Sequence, residues 1–430
     1  MSLSNYILRK QVDILSHKTA KSAYKNLEER LNQFPQGAPP SKSLYQILSI
    51  LFSEKEAEIV AQLPIKPFTV EKAAKILKKD EVKTEKILDQ LASRAVLLDS
   101  VDQGVKKYIL PPPMAGFFEF SMMRTRSDIN QKLLAELYYQ YLNVEEDFIK
   151  DLFLASETKL GRVYVNEEVL SKDNMVHILD FEKASHIIES AEHIGISTCY
   201  CRHKMHHLDQ ACDAPLDICM TFNNTADSLI RHDHARRVES SECLELLHQA
   251  YEHGLVQCGE NVRESPTFIC NCCGCCCEAL LAAKKFGNLH PVQTTHYLPK
   301  INYESCIDCG SCIEACPIDA ISRVDGKVVI DEDICLGCGV CVRSCPNKSL
   351  SLKRRQAEII TPVNSVHRTV MMAIERGKLA NLIFDNQAFG SHRAMAAVFS
   401  AVLKLPPIKQ AMASKQLKSR YLEKIIKKLS

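Results

Sequence analysis

Eight cysteines between Cys306 and Cys345 repeat one spacing twice, and that repeat leaves the backbone around them little freedom. The first run is Cys306-x2-Cys309-x2-Cys312-x3-Cys316, followed by Pro317; the second is Cys335-x2-Cys338-x2-Cys341-x3-Cys345, followed by Pro346. Three thiolates at such short intervals lie on one loop that can wrap a metal centre. Gly310, Gly337 and Gly339 allow tight conformations that a Cβ would hinder. Pro317 and Pro346 end the loops, and Ile318–Ser322 and Asn347–Leu352 suit short helices or strands. Zinc ribbons also use C-x2-C pairs, but one zinc takes four ligands, so the third cysteine and the Cys-Pro step would be surplus.

Each run matches the bacterial ferredoxin signature, and residues from about Ile301 to Leu352 resemble a two-cluster ferredoxin domain, with bounds of 296–355. The resemblance implies two [4Fe–4S] clusters and a crossing of ligands between the runs. One cluster takes Cys306, Cys309, Cys312 and Cys345; the other takes Cys335, Cys338, Cys341 and Cys316. The implied chemistry is transfer of electrons one at a time.

A second cysteine-rich region spans 194–295. Cys199, Cys201, Cys212 and Cys219 suit a four-iron cluster or a tetrahedral zinc equally well. Arg202, His203, Lys204, His206 and His207 are cationic or can become so, which would stabilise an anionic all-thiolate cluster. His203 and His206 are the nearest candidates to replace one thiolate, although a supporting role is commoner for such histidines. Cys258 precedes a denser group, Cys270, Cys272, Cys273, Cys275, Cys276 and Cys277, with Gly274 at its centre. A cell keeps so many adjacent thiols reduced only where metal protects them. Neighbouring side chains point in different directions, so one cube does not take all six; the expectation is one or two further clusters, with two centres or redox-active spare thiols on this loop. Cys243 lies on a helical apolar face with Leu244, Leu247 and Ala250 and reads as a small buried thiol. His232, His234, His248 and His253 read mostly as surface or core residues.

The order CYCR, then ICNCC and CCC, then the paired runs resembles multi-cluster ferredoxin-like proteins of anaerobic prokaryotes over Ile194–Leu352. The Cys-Cys-Gly step also resembles heterodisulfide-reductase non-cubane clusters. That motif has long gaps and a separate later C-x-x-C, which this compact run lacks, so disulfide cleavage is not carried over.

The fold class expected is α+β, multidomain. Residues 1–42 read as a helical segment and 43–113 as a winged-helix-like domain. The latter has a Ser53-x-x-Glu56 capping box, a helix begun by Thr69, a helix bearing Val82, Ile87, Leu88 and Leu91, and a hairpin turning near Gly104. Its candidate recognition helix mixes Glu81, Glu85 and Asp89 with Lys83, Lys86 and Arg94, which argues against nucleic acid and for partner docking. Residues 114–193 read as a helical connector, with Leu133, Leu134, Leu137, Tyr138 and Tyr141 at helical spacing and a further helix over Phe181–His193. Residues 356–430 read as a basic helical segment, with Thr361 as N-cap and Gly377 as stop of a first helix. Further helical patterns over Ala394–Leu403 and Met412–Leu429 offer contact with a membrane surface or an acidic redox partner.

The 430 residues allow several domains, and a net charge of +2 gives no global pull toward nucleic acid or lipid. Twenty cysteines would suit a secreted disulfide scaffold, but the opening residues show no signal-peptide pattern, and cluster-type motifs need reduced thiols. The expected location is cytoplasmic, either soluble or peripheral at a membrane. No G-x-G-x-x-G after a strand, P-loop, H-E-x-x-H or Ser-His-Asp pattern is present. The expectation is thus an electron-transfer protein or subunit, rather than a stand-alone enzyme, serving a flavin or metal oxidoreductase partner. The alternatives are an oxidoreductase with catalysis at the central cysteines and a redox-sensing winged-helix DNA-binding regulator.

Overall fold

The computed structural model describes residues 22–356, 361–384 and 394–396, so the helical patterns expected beyond 396 lie outside the described residues. The chain forms two compact units. Among the described residues, the first combines those up to Ser121, Arg126–Phe148 and those from Gly377 onward; the second combines Met122–Thr125 and those within Ile149–Arg376.

In the first unit, helix α1 (Lys42–Leu51) begins where the Ser41 side chain accepts from the Leu44 N–H. Helix α2 (Glu54–Val60) begins with the full Ser53/Glu56 capping box. A two-residue strand β1 (Phe68–Thr69) leads through the Thr69 cap into α3 (Val70–Leu77), which Lys78 ends in the left-handed region. Asp80 caps α4 (Glu81–Ala92), where Leu88 and Leu91 are buried but Val82 is 61 % exposed, contrary to its expected apolar role. Strands β2 (Leu98–Asp102) and β3 (Val105–Ile109) form the hairpin, and β1 joins its β3 edge. Helix α5 (Gln131–Tyr139) delivers Tyr138 to an aromatic core with Phe117, Phe118, Tyr141 and Phe148.

The second unit is organised by a six-stranded antiparallel sheet in the order β4-β8-β9-β6-β5-β7. Edge strand β4 (Gly161–Val163) pairs with β8, so the region expected to be purely helical supplies part of the sheet. The helix expected over Phe181–His193 is the shorter α6 (Ala184–Ser190), because the chain must extend again at Ile194 to enter β5 (Ile194–Thr198). Then follow α7 (Tyr200–His206), β6 (Asp217–Phe222), α8 (Asn223–Arg231), β7 (Arg236–Arg237), α9 (Ser240–Glu252), β8 (Val256–Glu260), β9 (Phe268–Cys272) and α10 (Glu278–Phe286).

Strand alternation gives this sheet two chemically different faces. Ile196, Met220 and Ile269 lie in register on one face, where Ile187 and Ile188 of α6 and Leu247 and Tyr251 of α9 cover them. The opposite face carries Cys219, Cys258, Cys270 and Cys272, with Cys258 directly across from Cys270. Cys243 belongs to the apolar side, is fully buried, and burial pushes its thiol up to about 12.

Beyond the sheet, β10 (Tyr297–Ile301) pairs with β13 (Leu350–Arg354), and β11 (Ile321–Val324) pairs with β12 (Lys327–Ile330). Short helices α11 (Ser311–Glu314) and α12 (Val340–Arg343) follow Gly310 and Gly339, whose φ angles are +88° and +89°. Helix α13 (Ser365–Glu375) is capped by Asn364 rather than by Thr361, since the Asn364 side chain accepts from the His367 N–H. Gly377 has φ +68°, the left-handed geometry expected just past a helix end.

Replacing Cys243 with serine buries a hydroxyl where a thiol packs among apolar side chains. Chemical denaturation under anaerobic conditions should show a loss of about 1–3 kcal/mol, with iron content unchanged.

Candidate metal centres

The paired cysteine runs enclose two cavities. The first is lined by Cys306, Cys309, Cys312 and Cys345, together with Ile301, Val328 and Leu350. The second is lined by Cys316, Cys335, Cys338 and Cys341, together with Pro299, Ile318 and Leu336. In each, three thiols come from one run and the fourth from the other, so the cavities have the crossed membership that the ferredoxin resemblance implies. Two backbone donors repeat with the runs. The Ala320 N–H donates to Cys316 Sγ at 3.2 Å and the Ser349 N–H to Cys345 Sγ at 3.3 Å, each four residues beyond the last cysteine of its run. Such bonds stabilise negative charge on cluster sulfur. Burial pushes the Cys335 thiol up to about 11 and Cys338 to about 12, so four thiolates in that hole need a cationic centre among them. Cys309 differs: it is exposed, and the Ser311 hydroxyl and N–H hold its thiol below the ordinary value.

The central cysteines divide into two groups. The larger is a chain of buried or half-buried thiols in mutual contact. Cys199 meets Cys219, Cys219 meets Cys270, and Cys270 meets Cys272. Cys272 also meets Cys258 and Cys277, and Cys277 meets Cys201. Their sources explain the convergence. Cys199 and Cys277 are the N-cap residues of α7 and α10, Cys201 lies in the first turn of α7, and the other four stand on one sheet face. The smaller group is Cys212, Cys273, Cys275 and Cys276, whose four sulfurs all lie within 4.8 Å of one another. It joins the loop after α7 to the turn after β9.

This partition departs from one expectation. Cys212 is not the partner of Cys199, Cys201 and Cys219, because it sits on the loop before β6 while Cys219 is held inside the strand. Among the described residues those four form no tight group that one zinc would fill. The Nδ1 of His203 is 2.7 Å from the Met122 carbonyl oxygen, which leaves Nε2 as the ring nitrogen open to a metal, and His206 is exposed.

Two charged contacts organise the region; the sequence singled out Arg202 and Lys204 as cations beside the thiols, but not the groups they meet. The Arg202 guanidinium is fully buried, donates to the carbonyls of Pro215 and Asn271, and acts on Cys199 of the larger group and Cys273 of the smaller. Cys273 is held down to about 4 by hydrogen bonding from the Cys276 thiol and then by Arg202. Lys204 and Glu278 form a buried ion pair, one on α7 just past Cys201 and the other directly after Cys277. The only sequence signal for that pair was a charged residue close to a cysteine on each helix.

The central region abuts the paired runs. A Cβ on Gly274 would fall 2.2 Å from the Pro317 carbonyl oxygen, so this glycine serves close backbone approach; it is not one of the positive-φ glycines, and relief of local strain is not its role. The Asn166 N–H donates to the Cys338 carbonyl at 2.8 Å, and Cys338 is near enough to act electrostatically on Cys258. Cys312 of one cavity acts likewise on Cys341 of the other.

The family model for the 4Fe-4S dicluster domain matches residues 299–352. That segment is similar to dicluster iron–sulfur domains. No curated protein and no solved structure matches the chain. The dicluster match covers both cavities and stops short of the central cysteines, so its residues fit two [4Fe–4S] groups by donor type, number and placement.

Crossed ligation makes paired outcomes. Cys345→Ala and Cys309→Ala should each remove the same cluster, about four irons per chain, and leave identical electron paramagnetic resonance spectra, whereas Cys316→Ala should remove the other. Gly274→Ala forces backbone apart at Pro317; anaerobic denaturation followed by loss of cluster colour should report about 1–3 kcal/mol of destabilisation.

Proposed function

We propose that this chain is an electron-transfer protein or subunit in which the dicluster domain connects a redox partner to a further iron–sulfur centre, held by four of the seven thiols Cys199, Cys201, Cys219, Cys258, Cys270, Cys272 and Cys277. The observation that carries the reading is the pair of cavities with crossed thiol sets inside a segment that matches a dicluster family. The neighbouring contacts suggest an order. Exposed Cys309 marks the outer cluster, Cys312 and Cys341 connect it to the inner one, and Cys338 and Cys258 connect that to the buried central group. A flavin or metal oxidoreductase that docks over Cys309 would complete the route. Burial of five of the seven central thiols favours through-protein electron passage over substrate turnover there.

The first unit fits partner docking better than nucleic-acid binding. On the hairpin, Lys106 is paired with Asp89 and Asp99 and Lys107 with Asp102, so these lysines are already neutralised within the protein. The exposed face of α4 mixes Glu81 and Glu85 with Lys83 and Lys86. No helix among the described residues is long and apolar enough to cross a membrane.

Protein purified without oxygen should be brown and hold about twelve irons with matching sulfide, four per cube, eight of them in the dicluster domain. Reduction should generate the paramagnetic spectra of reduced cubes. A colourless, iron-free chain would end this reading. A mobility-shift assay with mixed-sequence duplex DNA at about 0.15 M salt should show no complex in either oxidation state.

A further inference from the structure

The geometry points to a mononuclear metal site, separate from every iron–sulfur cluster, in which Cys212, Cys273, Cys275 and Cys276 hold one tetrahedral ion, zinc or iron. The argument begins with sulfur spacing. Cys212 Sγ and Cys273 Sγ are 3.5 Å apart, Cys275 Sγ and Cys276 Sγ are 3.6 Å apart, and no pair in the group exceeds 4.8 Å. An ion bonded to four thiolates at about 2.3 Å places those sulfurs roughly 3.8 Å apart along each tetrahedral edge. A four-iron cube carries each cysteine outside a corner iron and spreads the four sulfurs to roughly 6 Å. The measured separations therefore suit one ion and are too short for a cube. The dicluster cysteines act as an internal comparison: among the described residues, they form no such tight group.

Four thiolates close the coordination shell, which is the pattern of a structural zinc rather than of a site that binds substrate. An ion of charge +2 bound by four thiolates leaves a net negative site, and the buried Arg202 guanidinium beside Cys273 offsets part of that charge. The ion would tie the loop bearing Cys212 to the turn bearing Gly274, the residue whose backbone rests on Pro317 of the dicluster domain. Its role is to fix that turn against the inner cluster's ligand loop. Cys275 is the exposed member, so the ion sits at the edge of the molecule rather than within the buried thiol chain.

This inference does not depend on the electron-transfer reading, and metal analysis separates them. The full chain, purified anaerobically from medium supplied with iron and zinc, should contain one zinc, or one iron unmatched by sulfide, per molecule. X-ray absorption at the zinc edge, or at the iron edge of the unmatched ion, should give four sulfurs at about 2.3 Å. Cys275→Ser and Cys212→Ser should each lower the content of that ion at least tenfold, with cluster iron, sulfide and the reduced-cube spectra retained. Retained spectra also show that the variants fold. A loss of about four irons together with four sulfides in either variant would overturn the proposal in favour of a cube. Absence of any zinc or sulfide-free iron from the unsubstituted chain would overturn it as well. An iron-free chain that still held the zinc would sink the electron-transfer reading and leave this one standing.

Discussion

The second unit depends on the alternation of β-strand side chains between two faces. In β6 and β9 the apolar residues Ile218, Met220, Phe222 and Ile269 fall on one side, and Cys219, Cys270 and Cys272 fall on the other. The apolar side packs under α6 and α9 and contributes the ordinary stability of a core. The thiol side has no comparable way to stabilise itself. Buried thiols packed against thiols gain little by dispersion, and their ionised forms repel one another unless a cation lies between them. Metal bound on that face would therefore be linked to folding, while the helical face can form without it.

Helix N-termini add to this arrangement. Cys199 and Cys277 sit at the start of α7 and α10, where unpaired N–H groups favour negative charge. The Lys204–Glu278 pair then holds the two helices together at the level of Cys201 and Cys277. A buried ion pair adds little stability over an apolar substitute, but it fixes relative position, and position matters when two helices must present thiols to one centre.

Much of the dicluster segment was legible because its information is local. Spacing within Cys306–Cys316 and Cys335–Cys345, the glycines at the loop turns and the closing prolines name the candidate ligands without reference to anything distant. The caps at Ser53 and Thr69 were readable for the same reason, since a cap involves residues three apart. The central region resisted because its partners are separated by long stretches of chain. Nothing in the sequence near Cys212 states that it meets Cys273 rather than Cys199; that follows from strand order β9-β6-β5 and from a loop leaving the sheet. Strand β4 was hidden for a related reason: three residues show no periodicity, and its identity comes from pairing with β8. Val82 was misread because one apolar residue on a helix does not reveal which side the hairpin will cover.

The meeting of Gly274 with Pro317 has a consequence for how this molecule can be taken apart or rebuilt. Main chain rests on main chain there, with no side chain between to be trimmed or reshaped. Shuffling in a foreign ferredoxin would demand the same carbonyl in the same place. The two modules are thus committed to travel as one heritable piece.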